Sequence, residues 1–115
     1  MASHSMGLTL HEAARGMGVP FTEENEPKDR TVNANGLKFH YLEWGDLANP
    51  TLVMLHGVSQ QAHSWDFVSL ALSPAYHIIS LDQRGHGDTD WASDGVYSLD
   101  SMQADIDGVV EALGL

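Results

Sequence analysis

Two short polar loops hold the residues of this chain whose types and spacing could do chemistry. The first is His56-Gly57-Val58, which directly follows the apolar run Thr51–Leu55, and the second is residues 82–87, Asp-Gln-Arg-Gly-His-Gly, which follow the apolar residues 76–81. A backbone N–H of the first loop could stabilise negative charge developing on an oxygen atom, while imidazole and carboxylate groups are able to transfer protons or bind a metal ion. The loops can act together only if the fold places them side by side.

The strands predicted from the hydropathy pattern would place them so. Residues 51–55 and 76–81 are continuous apolar runs bounded by turn residues, which is typical of strands covered on both faces. Helical spacing between the two runs implies a right-handed crossover and parallel strands. Because the carboxyl ends of parallel strands lie at one edge of a sheet, where open α/β sheets bind ligands, we expect the two loops to meet there.

Two helices follow these strands in the predicted order. The first covers residues 64–72, with Ser64 as its N-cap and an apolar stripe formed by Trp65, Val68 and Leu72. The second runs over Leu99–Leu113, is capped by Ser98 and ends at Gly114, and its stripe is Leu99, Met102, Ile106, Val109, Val110 and Leu113. The predicted fold class is therefore α/β with a mostly parallel sheet.

The N-terminal part of the chain divides near residue 30. Residues 1–29 are rich in Gly, Glu, Asn and Pro, with weak helical spacing over residues 8–17, and we expect a loosely attached arm with a short helix. Residues 30–115 form one predicted domain. It opens with an antiparallel hairpin, because alternating residues flank Asn35-Gly36, a dipeptide that favours positive φ at both positions of a tight turn.

The composition excludes several classes of protein. The 115 residues have a formal net charge of −11, which disfavours binding to nucleic acid and to anionic membranes. The longest apolar runs are far shorter than the roughly 20 residues of a membrane-spanning helix, so we expect a soluble protein. There is no cysteine and no recognisable secretory signal, which fits a cytoplasmic location.

Together the two loops resemble the N-terminal half of an α/β-hydrolase. The resemblance covers about residues 30–115 and consists of the hairpin, the His-Gly turn with the following Trp65, the Asp-x-Arg-Gly-x-Gly loop and the last helix. It implies the N-terminal part of an α/β-hydrolase sheet and nucleophilic hydrolysis of a small, mostly apolar substrate: an ester, a C–C bond, an epoxide or a halide. Such catalysis needs positioned side chains, amides and water, so no cofactor is implied.

The resemblance also assigns roles by position. In this family one backbone amide of the oxyanion hole comes from the loop after the third strand, which makes the N–H of Val58 the candidate donor and Ser59 the runner-up. His56, Gly57 and Trp65 would shape the substrate pocket. For His56 we favour a structural role over that of a general base.

The second loop is interpreted as structural. Asp82 would cap the turn, Arg84 would donate to nearby carbonyls or carboxylates, and Gly85 and Gly87 would allow close backbone approach. A metal site built from Asp82, His86, Asp88 and Asp90 is the weaker alternative, and we expect no metal. The remaining acidic residues of the last third are interpreted as a solvated face: Asp88, Asp90, Asp94, Asp100, Asp105, Asp107 and Glu111.

The catalytic side chains of the family are not found. No G-x-S-x-G pentapeptide occurs, so the nucleophile, acid and catalytic histidine are expected in polypeptide beyond Leu115, and the 115-residue chain alone is predicted to be inactive. If the family's strand order applies, Thr51–Leu55 has an open edge that would pair with the missing C-terminal half or with a second copy. The alternatives are a non-catalytic ligand-binding protein on the same scaffold, and a half-protein that assembles with a complementary chain.

Overall fold

The computed structural model describes residues 9–115, which form one mixed sheet with helices on both faces. The strands are β1 (Lys28–Ala34), β2 (Leu37–Trp44), β3 (Thr51–Leu55) and β4 (His77–Leu81), in the spatial order β1-β2-β4-β3. The α-helices are α1 (Leu10–Gly16), α2 (Asp66–Leu72) and α3 (Leu99–Leu113), and a 3₁₀ helix (Ala62–Trp65) precedes α2. Within the described residues no helix is both long and apolar enough to span a bilayer.

The sheet has the predicted topology. β1 and β2 pair antiparallel through a turn in which Asn35 has φ 47° and Gly36 has φ 77°, as expected for this dipeptide. β3 and β4 pair parallel, and β4 pairs antiparallel with β2 on its other side. β4 therefore lies between β2 and β3, and β3 forms one edge of the sheet. β4 begins one residue later than predicted, because the Tyr76 N–H still donates to Leu72 O at the end of α2.

Each face of the sheet has its own apolar core. The α3 face buries Leu37, Phe39, Tyr41, Ile79, Leu81 and Val109. The opposite face buries Leu10, Ala14, Leu42, Trp44, Ala62, Leu70 and Ile78. The β2 residues alternate between these two lists, as the period-two geometry of a strand requires. Because both faces of the sheet are covered, the central strand β4 is buried along its whole length.

The helix after β3 differs from its prediction. The Ser64 hydroxyl does not cap α2 but accepts a hydrogen bond from the Gln61 N–H (3.2 Å), because residues 62–65 form a 3₁₀ turn first. A 3₁₀ helix has three residues per turn, fewer than an α-helix. The side chains that follow it therefore point in other directions than in a continuous α-helix, and a different face of α2 meets the sheet. The buried residues of α2 are Asp66, Ser69 and Leu70, whereas Val68 of the predicted stripe is exposed.

The described part of the N-terminal arm packs more firmly than expected. α1 begins with a capping box in which the Thr9 hydroxyl accepts from the Glu12 N–H and the Glu12 carboxylate accepts from the Thr9 N–H. Leu10 and Ala14 are fully buried against the sheet, so the helix is not loosely attached. The first eight residues of the arm lie outside the described residues. The division of the chain at residue 30 stays a prediction.

Candidate active site

The carboxyl ends of β3 and β4 bring the two polar loops together, as the strand order predicts. The backbone N–H of Gln83 donates to Nε2 of His56 (3.0 Å), and the Gln83 side-chain amide donates to the His56 carbonyl (2.7 Å). The rings of His56 and His86 lie 4.9 Å apart. Both loops therefore share one rim of the sheet.

Both ring nitrogens of His56 are engaged within the protein. Because Nε2 accepts from the Gln83 N–H, the ring proton lies on Nδ1, which donates to Gly57 O (2.8 Å). The ring is also buried. A neutral imidazole held on both sides in this way has no free lone pair for a substrate proton, which favours the structural role over a general base.

The backbone of residues 57–60 forms an exposed turn. The Gln60 N–H donates to Gly57 O (3.2 Å), and the Gly57 N–H donates to the Gln60 side-chain oxygen (2.9 Å). Val58 is 89% exposed, and its N–H has no acceptor among residues 9–115. Ser59 adopts φ 63°, which is uncommon for a residue with a side chain. An amide that is bound in neither a helix nor a strand fits an oxyanion donor, and the assignment of Val58 and Ser59 stays a prediction.

The segment 57–61 is fixed at both ends by the last residues of β4 and the loop after it. At its start, His56 is bound to Gln83. At its end, the Ala62 N–H donates to Oδ1 of Asp82 (2.6 Å), and the Ser80 hydroxyl donates to Ala62 O (2.9 Å). The middle of the segment is thus presented to solvent from two rigid anchors, which suits a group that must meet a ligand.

Trp65 is the last residue of the 3₁₀ helix that follows this segment. Its side chain is partly buried, and its indole N–H is buried with no acceptor in the described part of the chain. Buried polar groups normally have a partner, so this donor is noteworthy beside the predicted pocket. Its role as pocket wall stays a prediction.

Asp82 is the centre of the second loop. Its buried carboxylate accepts from the Asp88 N–H (3.0 Å) through Oδ2 and from the Ala62 N–H through Oδ1. Gly87 has φ 52°, and a Cβ there would lie 2.2 Å from Oδ2 of Asp82. Gly85 has φ 74°, and a Cβ there would lie 2.6 Å from the Tyr97 ring. Both glycines therefore have close neighbours, and their role as structural loop residues stays a prediction.

Arg84 binds a residue that the sequence analysis placed wrongly. Its Nε and Nη2 donate to the two oxygens of Asp105 (2.6 and 2.8 Å), and Nη1 donates to Val96 O (2.7 Å). The Asp105 carboxylate raises the pKa of the Arg84 guanidinium above its ordinary value. Asp105 also accepts from the Asn35 side chain (2.8 Å) and is only 2% exposed, so its interpretation as part of a solvated face is wrong.

His40 on β2 is the residue that sequence reasoning missed. Its ring contacts the Asp82 carboxylate on one side and Asp29 on the other. A histidine within an apolar strand carries no local signal for this contact, because Asp82 is 42 positions away and only the β2–β4 pairing brings the two together.

The described residues do not gather the four side chains of the metal alternative. His86 is bound to Arg84 O (2.9 Å) and Asp90 to the Lys38 N–H (2.9 Å), while the carboxylates of Asp82 and Asp88 come together with His40 instead. Oδ2 of Asp82 is already occupied by the His40 ring and by the Asp88 N–H. Hydrogen bonds within the protein account for this group without an ion.

Comparisons with known proteins identify the family of this chain. A sequence profile described as the alpha/beta hydrolase fold matches residues 50–115. The chain belongs to this family. Epoxide hydrolase 4 of Mus musculus is 33% identical over 84 residues, which are 72% of this chain and 23% of that protein. N-formylmaleamate deformylase of Pseudomonas putida is 36% identical over 84 residues, 73% of this chain and 31% of that protein.

A solved epoxide hydrolase of Vigna radiata has the same arrangement of elements. It superposes with a TM-score of 0.72 and is 36% identical over 78% of this chain and 29% of its own. The mixed sheet with its antiparallel hairpin is thus the α/β-hydrolase sheet that the resemblance predicted. The chain spans between about a fifth and a third of the length of these three proteins.

Proposed function

We propose that this chain is the N-terminal segment of an α/β-fold hydrolase that acts on a small, mostly apolar substrate by nucleophilic catalysis. The chain would supply one backbone amide of the oxyanion hole, and other polypeptide would supply the nucleophile, the acid and the catalytic histidine. The observation that carries the proposal is the Val58 N–H, which has no acceptor within residues 9–115 and lies on a segment anchored at both ends at the carboxyl rim.

Among the substrates considered, we favour an epoxide. Similarity to the mouse and Vigna proteins, both named epoxide hydrolases, supports this choice. A carboxylate nucleophile would open the epoxide to an ester, and the Val58 amide would stabilise the anion formed when water attacks that ester. The similar deformylase keeps an acyl substrate as the second candidate, for which the amide would have the same role with a serine nucleophile.

The test compares two variants of Val58. Residues 1–115 are joined to the part of the mouse epoxide hydrolase that follows its matched residues, and turnover of an aryl epoxide and of an aryl ester is measured. Val58→Pro removes the N–H and Val58→Ala keeps it, so we expect roughly 100-fold lower kcat for the proline variant only. Equal rates for both variants would exclude the amide. No turnover of either substrate by the joined protein would contradict the hydrolase proposal.

The open side of β3 bears on the partners of the chain. Val53 is 36% and Leu55 37% exposed, and among the described residues β3 has a neighbouring strand on one side only. We propose that another strand pairs there, from the complementary C-terminal half or from a second copy. The cytoplasmic location, the small-molecule substrate and the lack of nucleic-acid or membrane partners stay predictions.

A further inference from the structure

His40 lies between two carboxylates that belong to different elements. Its Nδ1 is 2.6 Å from Oδ2 of Asp82, in the loop after β4, and its Nε2 is 2.7 Å from Oδ1 of Asp29 on β1. An ionised carboxylate can only accept a hydrogen bond, so each ring nitrogen must carry a proton to make both bonds. A neutral ring would leave a nitrogen lone pair facing a carboxylate oxygen at one of these short distances.

The carboxylate of Asp82 passes this constraint on to the candidate site. Its Oδ1 accepts from the Ala62 N–H at the end of the segment 57–61, and its Oδ2 accepts from the Asp88 N–H. The orientation of the carboxylate therefore sets both anchors at once. The third atom bound to this carboxylate is Nδ1 of His40.

We propose that doubly protonated His40 is a positioning residue that fixes the Asp82 carboxylate and, through Ala62, the segment 57–61. When His40 loses a proton, one of its two charge-assisted bonds is lost and the anchor at Ala62 loosens. The value of this anchor for catalysis rests on the proposed function, whereas the anchor itself does not.

The charged groups around the ring favour the protonated state. Burial lowers the pKa of His40, but the hydrogen bonds to Asp29 and Asp82 and their charges outweigh it, so the pKa lies above the ordinary 6.5. Asp88 faces the ring from the same loop as Asp82. From the 3₁₀ helix, His63 shares the field of Asp29 and Asp82, and its pKa is raised chiefly by its hydrogen bond to Asp66 of α2.

Hydrogen–deuterium exchange followed by mass spectrometry tests the proposal on the 115-residue chain. Exchange at the imidazole C2 position reports the titration of His40, and amide protection factors report the anchors at Ala62 and Asp88. We expect His40 to titrate above pH 6.5. The protection factor of the Ala62 amide should fall as the pH rises through the same range. The fall should be about tenfold for each pH unit by which the pKa of His40 is raised.

Asp29→Asn is the decisive variant, because Asp29 is 73% exposed and its loss does not threaten the core. It should lower the His40 midpoint by about one pH unit or more, and the midpoint of Ala62 protection should move with it. Asp107→Asn, an exposed carboxylate of α3, is the matched control and should move neither. His63→Gln removes the second imidazole and should leave the response of Ala62 in place.

Two results would overturn the proposal. One is a His40 ring that is neutral at pH 6.5 while Ala62 stays protected. The other is an Ala62 midpoint that does not follow the His40 midpoint in Asp29→Asn. Neither measurement needs turnover, so a failure of the hydrolase proposal leaves this inference standing, and the reverse also holds.

Discussion

The guanidinium of Arg84 and the carboxylate of Asp105 form a buried two-pronged ion pair between the loop after β4 and the middle of α3. The two contacts measure 2.6 and 2.8 Å, and both side chains are at least 94% buried. The planar fork of arginine matches a carboxylate in this geometry, which lysine cannot reproduce. The pair therefore fixes the loop after β4 against α3, the helix that covers one face of the sheet.

Removal of one partner of this pair should be costly. Asp105→Asn leaves a buried guanidinium without its counter-charge, so we expect a loss of about 3–5 kcal/mol in the free energy of unfolding, measured by urea denaturation. Asp107→Asn on the exposed side of the same helix should change it by less than about 0.5 kcal/mol. The double variant Arg84→Met/Asp105→Leu should lose less stability than the sum of the losses in Arg84→Met alone and in Asp105→Leu alone. Additive losses would contradict a coupled pair.

A second prediction concerns the two glycines with positive φ at residues 87 and 95. Gly87→Ala would place Cβ 2.2 Å from the Asp82 carboxylate, whereas Gly95→Ala, at φ 71°, meets nothing within 4 Å. Both pay for the left-handed backbone, about 1 kcal/mol, and only Gly87→Ala must also displace a buried, hydrogen-bonded group. We expect Gly87→Ala to cost at least about 2 kcal/mol more in thermal or urea unfolding. Equal losses would show that the carboxylate moves freely.

Much of this fold was predictable because local signals agreed with one another. Asn35-Gly36 supplied both positive φ values of the hairpin turn, and Ser98 with Gly114 marked the ends of Leu99–Leu113, as the structure shows. The bounds of the strand Thr51–Leu55 were correct to the residue, but its expected cover on both faces was wrong, since Val53 and Leu55 are 36% and 37% exposed. Each of these features depends on residues that are close in sequence, so pattern and propensity were sufficient.

The site needed information that no local pattern contains. Hydropathy predicts that a charged residue such as Asp105 is exposed on its helix. Asp105 is buried instead, because it forms an ion pair with Arg84, which is distant in sequence. His40 likewise gains its role from Asp29 and Asp82, which reach it through strand pairing. A charged residue can be buried only where the fold places a partner of opposite charge beside it. This depends on tertiary structure and not on the local sequence.

Glu43 on β2 should make the chain sensitive to acid. Burial raises the pKa of its carboxyl group, but hydrogen bonds from His77 (2.7 Å) and Arg30 (3.1 Å) outweigh this and hold the pKa below the ordinary 4.5. A depressed folded pKa adds stability above pH 4.5 that is lost as the pH falls through the folded value. Urea midpoints recorded downward from about pH 6 should therefore fall less steeply in Glu43→Gln than in the wild type.

The control for this prediction is Glu111→Gln, an exposed position near the end of α3. It should keep the wild-type slope, since residue 111 is exposed to solvent. If Glu43→Gln and Glu111→Gln have the same slope, the contacts of Glu43 contribute nothing to acid sensitivity.

The open edge of β3 should make the isolated chain associate. Val53 and Leu55 expose more than a third of their surface, and no strand within residues 9–115 pairs with β3 on its outer side. Lysine on an edge strand opposes pairing between copies, so Val53→Lys should raise the monomer fraction in light scattering coupled to size exclusion. Leu99→Lys introduces the same charge at a residue that is more exposed and off the sheet, and it should leave association unchanged. If the wild-type chain is a monodisperse monomer that unfolds cooperatively, the edge does not drive association; if both lysines act alike, net charge rather than strand pairing controls it.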